Sequence, residues 1–236
     1  LRERGWPEAT VLLLAAALPV WFRKQPETAG KVTALAFAAA ALLVVAFGRG
    51  LDTLSFGFAL LVPVMGGLNA WYSVGYMNHS HTQWRFHTFF LLMCAGLTGV
   101  AAAPDLFSFF FFWEIMSSWS LYFVIVHEEN PAALREGFKY FFFNVLGAAF
   151  LFLAVVLALR WCGGGDFAAV RAALPNLSGA QTGLLATLAV IGLVMKAAQL
   201  PFRIDIQMHP ATAPTPVSGY ISSVLLKSAL FGLVKL

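Results

Sequence analysis

The sequence is poor in charge. Charged residues make up only 11% of the 236 residues, whereas hydrophobic residues make up 60% and the mean hydropathy is +0.78. Soluble domains usually carry about 25% charged residues, so this composition excludes an ordinary soluble domain and predicts an integral membrane protein. The basic residues behind the pI of about 9.3 are scattered, which excludes a nucleic-acid-binding surface.

The sequence also lacks the patterns of a metal or redox centre. Cys94 and Cys162 stand alone, with no Cys-x-x-Cys pair and no Cys/His cluster, which leaves iron–sulfur, zinc and disulfide sites without support. The glycines in WCGGGDF follow a long apolar run, so they predict a helix end and a loop, not a phosphate-binding loop. His79, His81 and His87 fit a polar interfacial loop, with a metal site as the alternative. We expect neither a metal nor a cofactor.

Long apolar stretches dominate what is present. A transmembrane helix needs about 20 apolar residues, and the third to eighth stretches meet that length, while the first two are shorter and rich in alanine. The predicted fold is an all-α bundle of about eight transmembrane helices. The stretches cover residues 7–22, 32–47, 54–76, 86–103, 106–126, 136–160, 182–200 and 216–236.

The polar connections carry helix-end signals. Pro104 and Asp105 are predicted to end one helix and cap the next. Asn130 is a predicted N-cap with Pro131 at the first helical position. The segment DFAAVRAALPNLSG predicts a short surface helix between the sixth and seventh spans.

Three ionisable residues lie inside apolar stretches. Glu114, Lys196 and Lys227 would each cost roughly 3 kcal/mol at the centre of a lipid-facing helix, so we expect them to face the bundle interior, pair, or contact water. A nearby Glu–Lys pair stabilises both charges, and separating the pair releases a proton. Lys139 lies about two turns into its helix, from which its long side chain can reach the surface.

The last two lysines flank a predicted break. Pro201 removes a backbone donor, and the polar, proline-rich residues 202–216 cannot continue a straight helix. We therefore expect the seventh helix to be interrupted between Leu200 and Arg203. Broken helices recur in ion-coupled transporters, and irregular backbone at membrane depth must be buried or lined by water. An ordinary loop outside the membrane is the alternative.

Several of these segments resemble one family. The segments AWYSVGYM, FFFFWEIMS, VMKAAQLPF and MHPATAPTPVSGYISSVLLKSALFGLVKL are similar to the antiporter-like proton-translocating membrane subunits. That superfamily includes the pumping subunits of respiratory complex I, membrane subunits of energy-converting NiFe hydrogenases and formate hydrogenlyase, and Mrp-type sodium/proton antiporters. The resemblance covers about residues 70–236, most of the chain.

The resemblance implies roles for particular residues. Glu114, Lys196 and Lys227 match the family's proton-relay residues, and Pro201 marks its helix break. Four residues are implied as accessory positions: Lys139, Arg203, Asp205 and His209. The segment RIDIQMHP departs from the family's more usual HIWLPDAH, which puts the role of Arg203 in gating in doubt.

The resemblance also implies a domain organisation. Residues 1–85 would be three leading helices and residues 86–236 the first of the family's two inverted repeats, in helices 4–8. The second repeat, with its own lysine, has no counterpart here. We therefore expect either a fragment of a longer subunit or a second half on a separate chain.

The favoured function is a proton-translocating subunit of a redox-driven complex in a bacterial or archaeal cytoplasmic membrane. Its expected partners are the bilayer, other membrane subunits and, indirectly, peripheral redox subunits. The alternatives are a cation/proton antiporter subunit of Mrp type and a non-conducting membrane scaffold. A quinone-reacting enzyme lacks support because the chain has no redox motif. Any enzyme activity, whether of an NADH:quinone oxidoreductase or a hydrogenase, would belong to the complex.

Overall fold

The computed structural model of the chain describes residues 7–197 and 213–236, and in these ranges the chain is helical with short connections and no β-strand. Four short segments in these ranges are not α-helical: 3₁₀ turns at Gly48–Gly50, Met77–His79 and Leu174–Asn176 and a π-helical segment at Ile221–Leu225. The α-helices are α1 (Pro7–Ala15), α2 (Leu18–Trp21), α3 (Pro26–Phe47), α4 (Thr53–Tyr76), α5 (Gln83–Ala102), α6 (Leu106–Ser117), α7 (Trp119–Ile125), α8 (Pro131–Cys162), α9 (Phe167–Ala173), α10 (Gly179–Lys196), α11 (Thr215–Tyr220) and α12 (Lys227–Lys235).

Seven helical segments in the described ranges are long and apolar enough to cross a membrane. They are Pro26–Gly50, Thr53–Tyr76, Gln83–Ala102, Leu106–Ile125, Pro131–Cys162, Gly179–Lys196 and Thr215–Lys235. The first predicted stretch forms the shorter apolar segment Pro7–Trp21. The prediction of an all-α polytopic membrane bundle is confirmed.

The helix ends follow the sequence signals. Asp105 caps α6 by accepting a hydrogen bond from the Ser108 backbone N–H at 2.8 Å, and Asn130 caps α8 by accepting one from the Ala133 N–H at 2.8 Å. Gly163 ends α8 with a φ of 73°, which suits glycine. These three predictions and the predicted surface helix, α9, are confirmed.

Helix α5 lies at the centre of the bundle, and most of its residues are buried. Two glycines let the backbone of α6 approach it closely. A Cβ atom added at Gly96 would lie 2.5 Å from the Met116 backbone nitrogen, and one at Gly99 would overlap the Phe112 ring. This contact fixes the position of the helix that carries Glu114.

Two interruptions were not predicted from the sequence. The stretch from 106 to 126 spans as predicted, but it bends at Ser118 (φ −86°, ψ −109°) between α6 and α7. The last span contains the π-helical segment Ile221–Leu225, in which the Leu226 N–H donates to the Ile221 carbonyl at 3.1 Å.

The predicted break of the seventh span falls at the edge of the described residues. Helix α10 ends at Lys196, and Ala197 forms a turn. The predicted interruption at residues 200–203 lies outside the described residues. The same holds for four of the predicted functional positions, Pro201, Arg203, Asp205 and His209.

We predict that Gly96→Ala lowers the stability of the protein by about 1–3 kcal/mol, because the added methyl group must push the α6 backbone away from α5. Thermal unfolding of the detergent-solubilised protein measures this change. Gly75→Ala in α4 is the matched control, since no atom lies within 4 Å of its added Cβ. An equal effect of both substitutions would show that helix propensity, and not α5–α6 contact, decides the outcome.

Candidate functional site

Lys196 is buried inside the bundle, with only 4% of its surface exposed. Its Nζ donates a hydrogen bond to Asn144 Oδ1 at 2.9 Å and one to the Tyr140 hydroxyl at 3.4 Å. The same nitrogen lies 5.4 Å from the centre of the Tyr140 ring, a cation–π contact. Helix α8 therefore supplies two neutral hydrogen-bond partners to the buried Lys196.

Close helix packing brings these groups together. A Cβ atom at Gly192 in α10 would lie 2.8 Å from the Gly147 carbonyl oxygen in α8, so the two helices touch backbone to backbone. Asn144 lies about one turn from Gly147, and its Nδ2 donates to the Tyr140 carbonyl at 2.8 Å. That bond uses the donor end of the amide, so the acceptor end faces Lys196.

Glu114 is partly buried in α6 and has one satisfied and one unsatisfied oxygen. Its Oε2 accepts a hydrogen bond from Ser118 Oγ at 2.6 Å. Its Oε1 is buried and has no hydrogen-bond partner among the described residues. A buried carboxylate oxygen without a donor is rare in folded proteins, and such atoms cluster at functional sites.

Three serines stabilise the interruption next to Glu114. Ser117 Oγ donates to the Trp113 carbonyl at 2.8 Å, and Ser120 Oγ contacts the carbonyls of Ile115 and Met116. The Ser117 and Ser120 hydroxyls thus bond to backbone carbonyls around the interruption, as irregular backbone inside a membrane requires, whereas the Ser118 hydroxyl donates to the Glu114 carboxylate. This element was not predicted from the sequence, and the signal that could have revealed it is the serine-rich SSWS segment, which begins three residues after Glu114.

Lys227 lies at the start of α12 and is exposed on the surface of this chain. Its Nζ donates to the Ser222 carbonyl in the π-helical segment of the same span. Lys227 is therefore not buried among the described residues, in contrast to Lys196. The reason is that α12 packs on α10 through Gly232 and Leu193, which leaves its lysine on an uncovered side.

The expected Glu–Lys pair is open in this structure. Among the described residues, no ion pair joins Glu114 to Lys196 or to Lys227. Lys139 has a side chain 55% exposed and pairs with Glu136 at 3.0 Å, so it lies apart from the buried groups. Across residues 7–197 and 213–236, no three His, Cys, Asp or Glu side chains are grouped so as to hold a metal ion.

Two family models match the chain. One, described as NADH:quinone oxidoreductase/Mrp antiporter, TM, covers residues 103–236, more than half of the sequence. The other, described as NADH-ubiquinone oxidoreductase (complex I), chain 5 N-terminus, covers residues 37–90. The chain therefore belongs to the NADH:quinone oxidoreductase/Mrp antiporter membrane family, and the resemblance identified from its motifs is confirmed.

Individual relatives are much longer than this chain. The Na(+)/H(+) antiporter subunit A1 of Staphylococcus haemolyticus is 31% identical over 193 residues, which covers 78% of this chain and 23% of that protein. The NAD(P)H-quinone oxidoreductase chain 5 of Synechocystis is 29% identical over 189 residues, covering 77% of this chain and 28% of that protein. The chain thus spans about a quarter of the length of these relatives.

A solved structure has the same fold. A chain in the structure of the Mrp complex from Dietzia sp. superposes with a TM-score of 0.84 at 21% sequence identity, covering 96% of this chain and 27% of that one. The described helices therefore have the arrangement found in a multi-subunit membrane complex.

We predict that Asn144→Leu destabilises the protein by about 1.5–3 kcal/mol, because the buried Lys196 loses the hydrogen bond that it donates to Asn144 Oδ1 at 2.9 Å. Asn144→Asp, which keeps an acceptor, should recover most of that loss. Asn69→Leu in α4 is the matched control, since the Asn69 amide makes the same bond to a carbonyl four residues earlier, Met65, at 2.8 Å. Thermal unfolding in detergent measures all three. Equal losses for both leucine variants would contradict a specific role for Asn144.

Proposed function

We propose that this chain is part of a proton-translocating, antiporter-like subunit of a redox-driven membrane complex, with Glu114, Lys196 and Lys227 as its proton relay. The observation that carries the proposal is the buried ammonium of Lys196, which a membrane helix retains at a cost of roughly 3 kcal/mol on the insertion scale. Ionisable residues inside membrane spans commonly mark ion pathways.

The partners of Lys196 support a relay more than a structural role. Asn144 and Tyr140 are neutral hydrogen-bond partners, so neither of them adds a negative charge that would stabilise the ammonium. A carboxylate partner nearby would hold the proton more tightly than these two groups do. In this proposal, the approach of a carboxylate makes Lys196 hold its proton more tightly, and its withdrawal makes Lys196 hold the proton less tightly.

Glu114 is the carboxylate suited to strengthen the binding of the proton on Lys196. Its Oε1 has no donor among the described residues, and its helix bends at Ser118 only four residues away. A bend stabilised by serine hydroxyls lets the carboxylate change position without exposing backbone to lipid. Closing the Glu114–Lys196 pair and opening it again would bind and release a proton, which is the elementary step that we propose.

Lys227 is the proposed next station. Its exposure on this chain means that the group receiving its proton lies beyond the described residues, on another segment or another subunit. In this proposal residues 1–85 are the leading helices and residues 86–236 form the first antiporter-like repeat. Other membrane subunits of the complex then cover the surface that carries Lys227, and peripheral redox subunits drive the relay from a distance.

A second candidate function has direct support. The 31% identity to a Na(+)/H(+) antiporter subunit A1 favours exchange of sodium for protons without redox chemistry. Both functions use the same buried groups, and they differ in what drives the opening of the pair.

We predict that Glu114→Gln and Lys227→Ala each reduce proton translocation by roughly tenfold or more while the complex still assembles, because each removes a titratable group and little packing surface. Inside-out membrane vesicles with a pH-sensitive dye measure translocation, and co-purification of the other subunits measures assembly. Lys31→Gln is the control, since that lysine in α3 is exposed, pairs with Glu27 and should leave the rate unchanged. Loss of assembly in both relay variants, or full translocation by either, would contradict the relay and favour a scaffold.

The same vesicles separate the two candidate functions. If redox chemistry drives the relay, addition of an electron donor such as NADH should acidify the vesicle interior, and the subunits that co-purify should include redox carriers. If sodium exchange drives it, a sodium chloride pulse alone should dissipate an imposed pH gradient. A response to sodium without any response to electron donors would overturn the redox-driven form of the proposal.

A further inference from the structure

Three imidazole rings lead from one surface of the protein into the bundle. His81, in the connection before α5, has a side chain that is 47% exposed. Its ring stacks on that of His127, just after α7, with centroids 5.2 Å apart. His127 is fully buried, and so is His87 in the second turn of α5; the Phe86 ring contacts both of them. This series of rings is distinct from the buried site around Lys196.

Charged groups fix the outer end of this series. Arg85 forms an ion pair with Glu129, and its Nη2 donates to the His127 carbonyl at 3.1 Å. Glu129 Oε2 also lies 3.8 Å from His81 Nε2. The connection after α7 is thereby attached to the first turn of α5, which holds His127 against His81.

Buried polar atoms without partners are concentrated at this place. Of the seven such side-chain atoms in the described part of the chain, six lie here and the seventh is Glu114 Oε1. The six are Gln83 Oε1, Arg85 Nε, His87 Nδ1, His87 Nε2, Thr88 Oγ1 and His127 Nδ1. Each such atom costs about 1–3 kcal/mol if it stays dry, and water commonly satisfies groups of this kind.

We propose that these side chains surround a file of ordered water molecules, and that His81, His127 and His87 take up protons from this surface and pass them inward. The chemistry of the six atoms fits water, which both donates and accepts hydrogen bonds. The inference rests on the proposed function, because the protons taken up here would be those that the relay translocates.

The protonation state of His127 suits this role. Burial first, and then the positive charge of Arg85, lower the pKa of His127 to about 4, so its ring is neutral at physiological pH. A neutral imidazole has one N–H and one free nitrogen. It can accept a proton on one nitrogen as it releases the other, and Ser80 Oγ lies 2.9 Å from Nε2 to exchange that proton. A ring that stays charged would trap the proton instead.

Water at His87 can be tested by cysteine labelling in the assembled complex. In a background with Cys94→Ala and Cys162→Ala, a charged, membrane-impermeant methanethiosulfonate reagent should modify His87→Cys roughly tenfold or more faster than Leu91→Cys. Leu91 is fully buried one turn further along α5, and Asn78→Cys in the exposed turn sets the full rate. If His87→Cys fails to fold, the nearly isosteric Thr88→Cys takes its place. Protection equal to that of Leu91→Cys would overturn the proposal.

Proton passage is tested by His87→Phe and His127→Phe in the vesicle assay described above. Each should slow translocation roughly tenfold, because phenylalanine keeps the ring but removes both nitrogens. Thr98→Val, deeper in α5 with its hydroxyl already bonded to the Cys94 carbonyl, should keep the normal rate. If both histidine variants translocate normally while Glu114→Gln does not, the histidine proposal is overturned and the proposed function stands. If Glu114→Gln also translocates normally, both are overturned.

Discussion

An ammonium group inside a lipid-spanning helix must find its partners within the protein, and much of this structure follows from that constraint. Lys196 satisfies it with Asn144 and Tyr140, which are available only because α8 and α10 touch backbone to backbone. The glycines at that contact are therefore as necessary to the site as the polar side chains. Both of these side chains are neutral hydrogen-bond partners of the ammonium.

The backbone obeys the same rule, because carbonyl and N–H groups freed from a helix at membrane depth also need partners. Serine hydroxyls provide them at Ser118, and Lys227 itself donates to the Ser222 carbonyl in the π-helical segment. Each of these irregular segments adjoins an ionisable residue. The irregular segments thus lie beside charged side chains, which links local structure to the proposed relay.

The sequence predicted the spans and their caps because apolar length and capping residues are local signals. It also identified Lys196, since a charge in an apolar run is visible without the fold. It did not predict the bend at Ser118, because serines inside straight helices make similar bonds to earlier carbonyls. The exposure of Lys227 depends on which helices pack together. The contributions of Asn144 and His127 depend on helices far apart in sequence, which only the fold brings into contact.

We infer that the membrane span retains Lys196 for its charge and not for its bulk. The most direct measurement is proton translocation by the assembled complex carrying Lys196→Met, which keeps the length of the apolar side chain and removes the titratable group. The expected result for Lys196→Met is normal assembly with loss of proton translocation. A normal rate of translocation from the assembled variant would contradict it.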